Sequence, residues 1–86
     1  MSENKINNLK ALINRLFADD QERRDGLLQL MDLIKVGTDL GEVPIEPVIT
    51  LIGVIRAKSK DRNDFTTAVE GCKVLAPDVV VEAVHI

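Results

Sequence analysis

Residues 45–58 read IEPVITLIGVIRAK, and the way this stretch is patterned decides how the remainder of the chain must arrange itself. With a step of about 100° per residue starting from Val48, the side chains of Val48, Ile49, Leu51, Ile52, Val54 and Ile55 cover roughly 220° of a helix circumference. That is wider than the stripe a surface helix turns to its core. The remaining arc carries Thr50, Gly53 and Ala57, all small enough for another backbone to come close. Such a helix has no side that needs water, so it is expected to be surrounded. Either it is a central rod wrapped by the rest of the chain, or one face meets the core and the other meets a partner, most simply a second copy. The second arrangement is the expectation adopted. Apolar patches left exposed mark interaction sites, symmetric dimers are the commonest homo-oligomers, and a short chain has little material with which to cover everything. Val48, Thr50, Ile52, Gly53, Ile55 and Ala57 are the expected interface residues.

Working outward, residues 37–44 hold two glycines and a proline and read as a loop. Pro44 and Pro47 fall near the start of the helix, where the first N–H groups have no intrahelical partner. Before the loop, Leu27, Leu30, Met31, Leu33 and Ile34 share one broad face, extended by Leu28. They predict a helix from about Asp20 to Val36 that stops at Gly37, a favoured C′ residue. Gly26 weakens that helix by roughly 1 kcal/mol relative to Ala and is the place for a kink. Asp19 with Glu22 resembles a capping box. Earlier still, Ile6, Leu9, Leu12, Ile13, Leu16 and Phe17 recur at helical spacing behind a cap at Ser2 or Asn4. Beyond residue 58, Asp61, Asn63 or Asp64 caps a helix through Leu75 whose stripe is Phe65, Ala68, Val69, Cys72 and Ala76, and Pro77 ends it. The valines at 79–81 favour strand, but without period-two alternation, and Pro77 at a helix start favours a short helix over 78–86. The expected fold is all-α, a compact bundle of four helices plus a short C-terminal element, forming a single helical domain over residues 1–86.

Composition narrows the function. Apolar residues make up 45% of the chain, yet Phe17 and Phe65 are its only aromatics, so the core is aliphatic. The net charge of −3 does not favour binding to a polyanion. Cys72 has no second cysteine to pair with, which argues against a disulfide scaffold. The longest mostly apolar run, Val48 to Ile55, falls far short of the roughly 20 residues of a membrane span. No basic start followed by an apolar stretch marks a signal peptide, so a cytoplasmic location without membrane association is expected.

Reactive groups are sparse. His85 is the only histidine and lies next to the chain end, a poor place to hold a catalytic base in position. Cys72 sits on an apolar stripe, where a thiol behaves as a small hydrophobe. One Cys and one His exclude a nitrogen- and sulfur-ligated zinc site within one chain. The stretch around Asp25, Gly26 and Asp32 places Gln21 and Arg23 at the first and third positions of a calcium loop, which rules that loop out. The other acids, among them Asp39, Glu42 and Glu46, read as caps and solvated surface. No glycine-rich phosphate loop is present. The chain is therefore expected to be no enzyme and to use no cofactor or metal.

The favoured reading is a protein–protein interaction module, an adaptor, inhibitor or assembly factor, that binds itself and a further, unidentified protein by apolar helix packing. Its small size and lack of chemistry would suit an accessory protein of a phage or other mobile element. The alternative is a small nucleic-acid-binding regulator using Arg56, Lys58, Lys60 and Arg62, since phosphate contacts need clustered cations. Asp61 and Asp64 inside that cluster, and Phe65 as its only neighbouring aromatic, weigh against it. A third reading is a small-ligand binder with a pocket between subunits.

Overall fold

Two aspartates start helices in the same way. The carboxylate of Asp20 accepts the N–H of Arg23 at 3.0 Å, and that of Asp61 accepts the N–H of Asp64 at 3.0 Å. Each satisfies one of the donors a helix start leaves unpaired. The computed structural model describes residues 2–42, 44–77 and 79. Its helices are α1 (Ser2–Leu16), α2 (Gln21–Asp39), α3 (Ile45–Lys58) and α4 (Arg62–Leu75). The chain is an all-α four-helix bundle, with no strand among the described residues. The cap of α2 is Asp20, not Asp19, because a turn closed by the Asp20 N–H on the Phe17 carbonyl at 3.1 Å carries the chain one residue further round.

The end of α2 also differs from expectation. The helix passes through Gly37 and stops at Asp39, with Leu40 as its cap. Gly41, at φ 76°, supplies the left-handed residue instead. Its N–H bonds the Thr38 carbonyl at 3.1 Å, and the Glu42 N–H reaches the Gly37 carbonyl at 2.9 Å, the two bonds of a Schellman motif. Gly37 has another use, since a Cβ there would lie 3.4 Å from the Pro44 Cβ as the loop folds back. Gly26 produces no break, and α2 is continuous through it.

The core is aliphatic, as the composition requires. Leu9 and Ile13 of α1, Met31 and Ile34 of α2, Val48, Leu51 and Ile55 of α3, and Cys72 of α4 are its largest fully buried side chains. α1 packs most closely on α4. The reason is Gly71, which sits directly under Leu9 with no side chain to hold the helices apart. The radius of gyration, 11.7 Å, matches the roughly 12 Å of a compact domain of this length. Leu33, expected on the buried face of α2, is 62% exposed. The core stripe is Leu27, Met31 and Ile34, and Leu33 stands about 100° round the helix from Ile34. α4 ends at Leu75 ahead of Pro77. The element expected over residues 78–86, and His85 with it, lies outside the described residues, apart from Val79, which is buried. No helix of the described residues is long and apolar enough to cross a membrane.

Candidate protein-docking face

The six residues expected to form an interface fall on opposite sides of α3. Val48, Ile52 and Ile55 are buried in the chain's own core and are withdrawn as interface residues. Thr50, Gly53 and Ala57 are exposed. The expectation that α3 has no side open to water is corrected with them. Packing against α1, α2 and α4 buries Val48, Leu51, Ile52 and Ile55, while Thr50, Gly53 and Ala57 on the opposite arc stay exposed. That arc can stay wet because its residues are small and offer little apolar area.

Beside this open arc runs a groove between α2 and α3. One part, of about 530 Å³, is lined by Gly26, Leu27, Leu30, Thr50 and Val54 together with the charged Asp20, Glu22 and Arg23. A second part, of about 350 Å³, shares Asp20, Arg23 and Val54 and adds Phe17, Ala57 and Lys58, so the two are continuous. Gly26 lines the groove, and a Cβ on Gly26 or on Gly53 of the open arc would meet nothing within 4 Å.

Sequence reasoning missed the other half of the surface. Leu33, Val36 and Leu40 are the exposed large hydrophobics of the described residues. Their spacing of three and four puts them along one side of α2, and Leu33 lies one turn beyond Leu30, a groove residue. The apolar strip therefore runs from the groove onto the outer shoulder of α2. Val36 and Leu40 could have been found as an apolar pair falling outside the Leu27–Met31–Ile34 stripe.

Charges mark the two ends of α3. Glu46 is in its first turn, and Arg56 and Lys58 are in its last. None of the three takes part in an ion pair among the described residues, where the pairs are Lys5–Glu70, Arg15–Asp64, Arg24–Asp25, Lys35–Asp39 and Lys73–Glu70.

The basic segment is exposed at all four of Arg56, Lys58, Lys60 and Arg62 but does not form one row. The Arg56 guanidinium lies 5.7 Å from the centre of the Phe65 ring. Lys58 and Lys60 instead line a cleft of about 210 Å³ with Arg15 of α1 and Asp19. Arg15 is already engaged there, since it donates to the buried Asp64 at 2.7 Å. The Lys60 N–H also donates to Asp64, at 3.2 Å. The Arg15 bond, then the Lys60 N–H, hold the Asp64 carboxyl below the usual carboxylate range against the opposing effect of burial. A lowered pKa means that the ionised form is what the fold favours, so this stabilisation is complete above the ordinary carboxylate pKa and fades as pH falls through the lowered value. Asp64→Asn is expected to unfold at lower urea than the wild type at neutral pH. The gap should close as both are titrated into strong acid, and a gap independent of pH would show that the ion pair is not its source.

Burial pushes the Cys72 thiol up to about 12. The thiolate is the reactive form, so a disulfide-exchange reagent is expected to label native protein slowly and unfolded protein at once. Fast native labelling would contradict the packing of α4. Among the described residues no three or more His, Cys, Asp or Glu side chains are grouped to hold a metal ion.

Comparison of the chain with protein-family models, with curated proteins and with solved structures finds no match.

Proposed function

We propose that this chain is a non-enzymatic protein–protein interaction module that self-associates through the outward face of α2 and α3. The supporting observation is that the groove residues Phe17, Leu27, Leu30, Val54 and Ala57, interrupted by the charged Asp20 and Arg23, lie on the same side of the bundle as the exposed Leu33, one turn beyond Leu30, with Val36 and Leu40 continuing along α2. Apolar surface collected on one side of a small domain is the usual mark of an interaction site, and charged residues within it set which partner fits. Binding energy would come from burying the strip. On this reading the protein works in the cytoplasm as an adaptor, inhibitor or assembly factor, in keeping with an accessory protein of a phage or other mobile element.

Light scattering and sedimentation from low to high micromolar concentration test it. The wild type should reach twice its 9.5 kDa chain mass. Gly53→Leu should remain folded, because a side chain at this position meets no neighbour within 4 Å, while the bulk it adds to the open arc raises the dissociation constant. A wild type that stays monomeric throughout ends the self-association reading.

The cleft shared by Arg15, Lys58 and Lys60 favours nucleic-acid binding as a second reading. A shift assay on duplex and single-stranded probes would then show binding with a steep salt slope, lost when Arg56, Lys58, Lys60 and Arg62 are reversed in charge. The wild type is expected to give no shift at physiological salt.

A further inference from the structure

We infer that the second copy sits antiparallel on this face, with Glu46 of each chain opposite Lys58 of the other. The inference rests on the self-association reading and supplies its geometry. α3 carries its acid at one end and its cations at the other. Lys60 and Arg62 follow Arg56 and Lys58 at the basic end, where Asp19 and Asp20 also lie beside Lys58, while Glu42 precedes Glu46 at the acidic end, where Asp39 is paired with Lys35. A parallel second copy would place Glu46 on Glu46 and Lys58 on Lys58. An antiparallel one puts opposite charges together at both ends and also opposes the two helix dipoles.

Distances along the helix agree. Glu46 lies seven residues before Gly53, about 10 Å along the axis, and Lys58 lies five after it, about 8 Å. A two-fold axis passing beside Gly53 therefore brings Glu46 and Lys58 of the two copies to nearly the same level, within reach of their long side chains. The open arc at the axis is Thr50 and Gly53, where backbones can approach.

The apolar parts also match themselves under this operation, as a two-fold interface requires. Leu30 lines the groove with Thr50 and Val54, and Gly37 packs on Pro44, so Leu33 stands level with the first turns of α3. The axis carries it to the level of the last turns of α3 in the other copy. There the depression lined by Phe17, Val54 and Ala57, together with Asp20, Arg23 and Lys58, is open to receive it. Each chain thus offers one knob and one hole.

The test uses Glu46→Lys, Lys58→Glu, the chain with both, and an equimolar mixture of the two single variants, all followed by sedimentation. Each single variant should dimerise about tenfold more weakly than wild type, because two attractive pairs become repulsive ones, and the loss should shrink in high salt. The double variant and the mixture should both return to the wild-type constant. If the single variants match wild type while only the mixture binds more tightly, the copies are parallel and the inference is overturned. If no combination differs from wild type, Glu46 and Lys58 are not opposed and it is overturned as well. A monomeric wild type refutes the self-association reading itself, a result distinct from either of these.

Discussion

Gly71→Ala should lower the stability of this bundle by about 1–3 kcal/mol, the range for forcing an extra group into a packed site. Alanine is the better helix former by about 1 kcal/mol, so the loss has to exceed that gain. The geometry says it does. A Cβ at position 71 would lie 2.6 Å from the Leu9 Cβ and 2.8 Å from its Cδ2. The first of these contacts is decisive, because a Cβ is fixed by its backbone and no rotamer change moves it. The two helices must separate, and α1 against α4 is the most extensive helix contact in the fold. In a domain of this size each kcal/mol is worth roughly 4–8 °C in Tm, so the shift is easily read. Gly26→Ala is the matched control. It is the same chemical change inside a helix, at an exposed site where the new Cβ meets nothing within 4 Å, and it should raise stability by about 0.5–1 kcal/mol. Adding Leu9→Ala to Gly71→Ala should not restore the wild type. It removes the Cδ2 and Cγ contacts but keeps the Cβ at 2.6 Å, and it opens a cavity costing about 2–5 kcal/mol of its own. Equal stability for Gly71→Ala and wild type would mean that α1 and α4 do not approach as closely as described.

What could be read from the chain beforehand follows from which signals are local. α3 begins and ends where its pattern and its flanking Pro44 and Lys58 place it, and α4 stops ahead of Pro77. The α1 stripe of Leu9, Leu12, Ile13, Leu16 and Phe17 is buried as its spacing requires. These depend on periodicity and caps, which short stretches of sequence contain. The C-terminus of α2 was ambiguous because Gly37 and Gly41 are four residues apart and both suit a helix end. At Gly41 the positive φ and the two bonds to the Thr38 and Gly37 carbonyls close the helix, and spacing alone does not say which of the two glycines takes that role. The exposure of Leu33 and of the Thr50–Gly53–Ala57 arc was hidden for a related reason. Periodicity gives the angle between side chains on a helix but not the rotation of that helix against its neighbours. With a run as apolar as 48–55, nearly any rotation would bury a good face. Arg15 could not be joined to the basic segment at all, since its partner Asp64 is 49 residues away.

That rotation sorts the residues of α3 into two groups that should respond to mutation in opposite ways. Ile52→Ala and Ile55→Ala should each cost about 2–5 kcal/mol, as large-to-small changes at buried sites do. Ile55 is fully buried and Ile52 is 5% exposed, so Ile55→Ala belongs toward the upper end. Against a total of about 5–15 kcal/mol for a domain of this kind, either change removes a large part of the margin. Gly53→Arg should do the reverse. It introduces a good helix former at an exposed site with open space around it, so the monomer should be unchanged or gain up to about 1 kcal/mol. Its effect should appear in association instead, because the new cation lies beside the two-fold axis and faces its own copy. Urea unfolding and sedimentation on the same three variants separate the two roles. A Gly53→Arg chain that is folded, stable and monomeric, next to an Ile55→Ala chain crippled in stability, would place core on one side of α3 and docking face on the other. If Gly53→Arg unfolds the chain, position 53 is covered within the monomer, and the groove beside it is not a surface that a partner can reach.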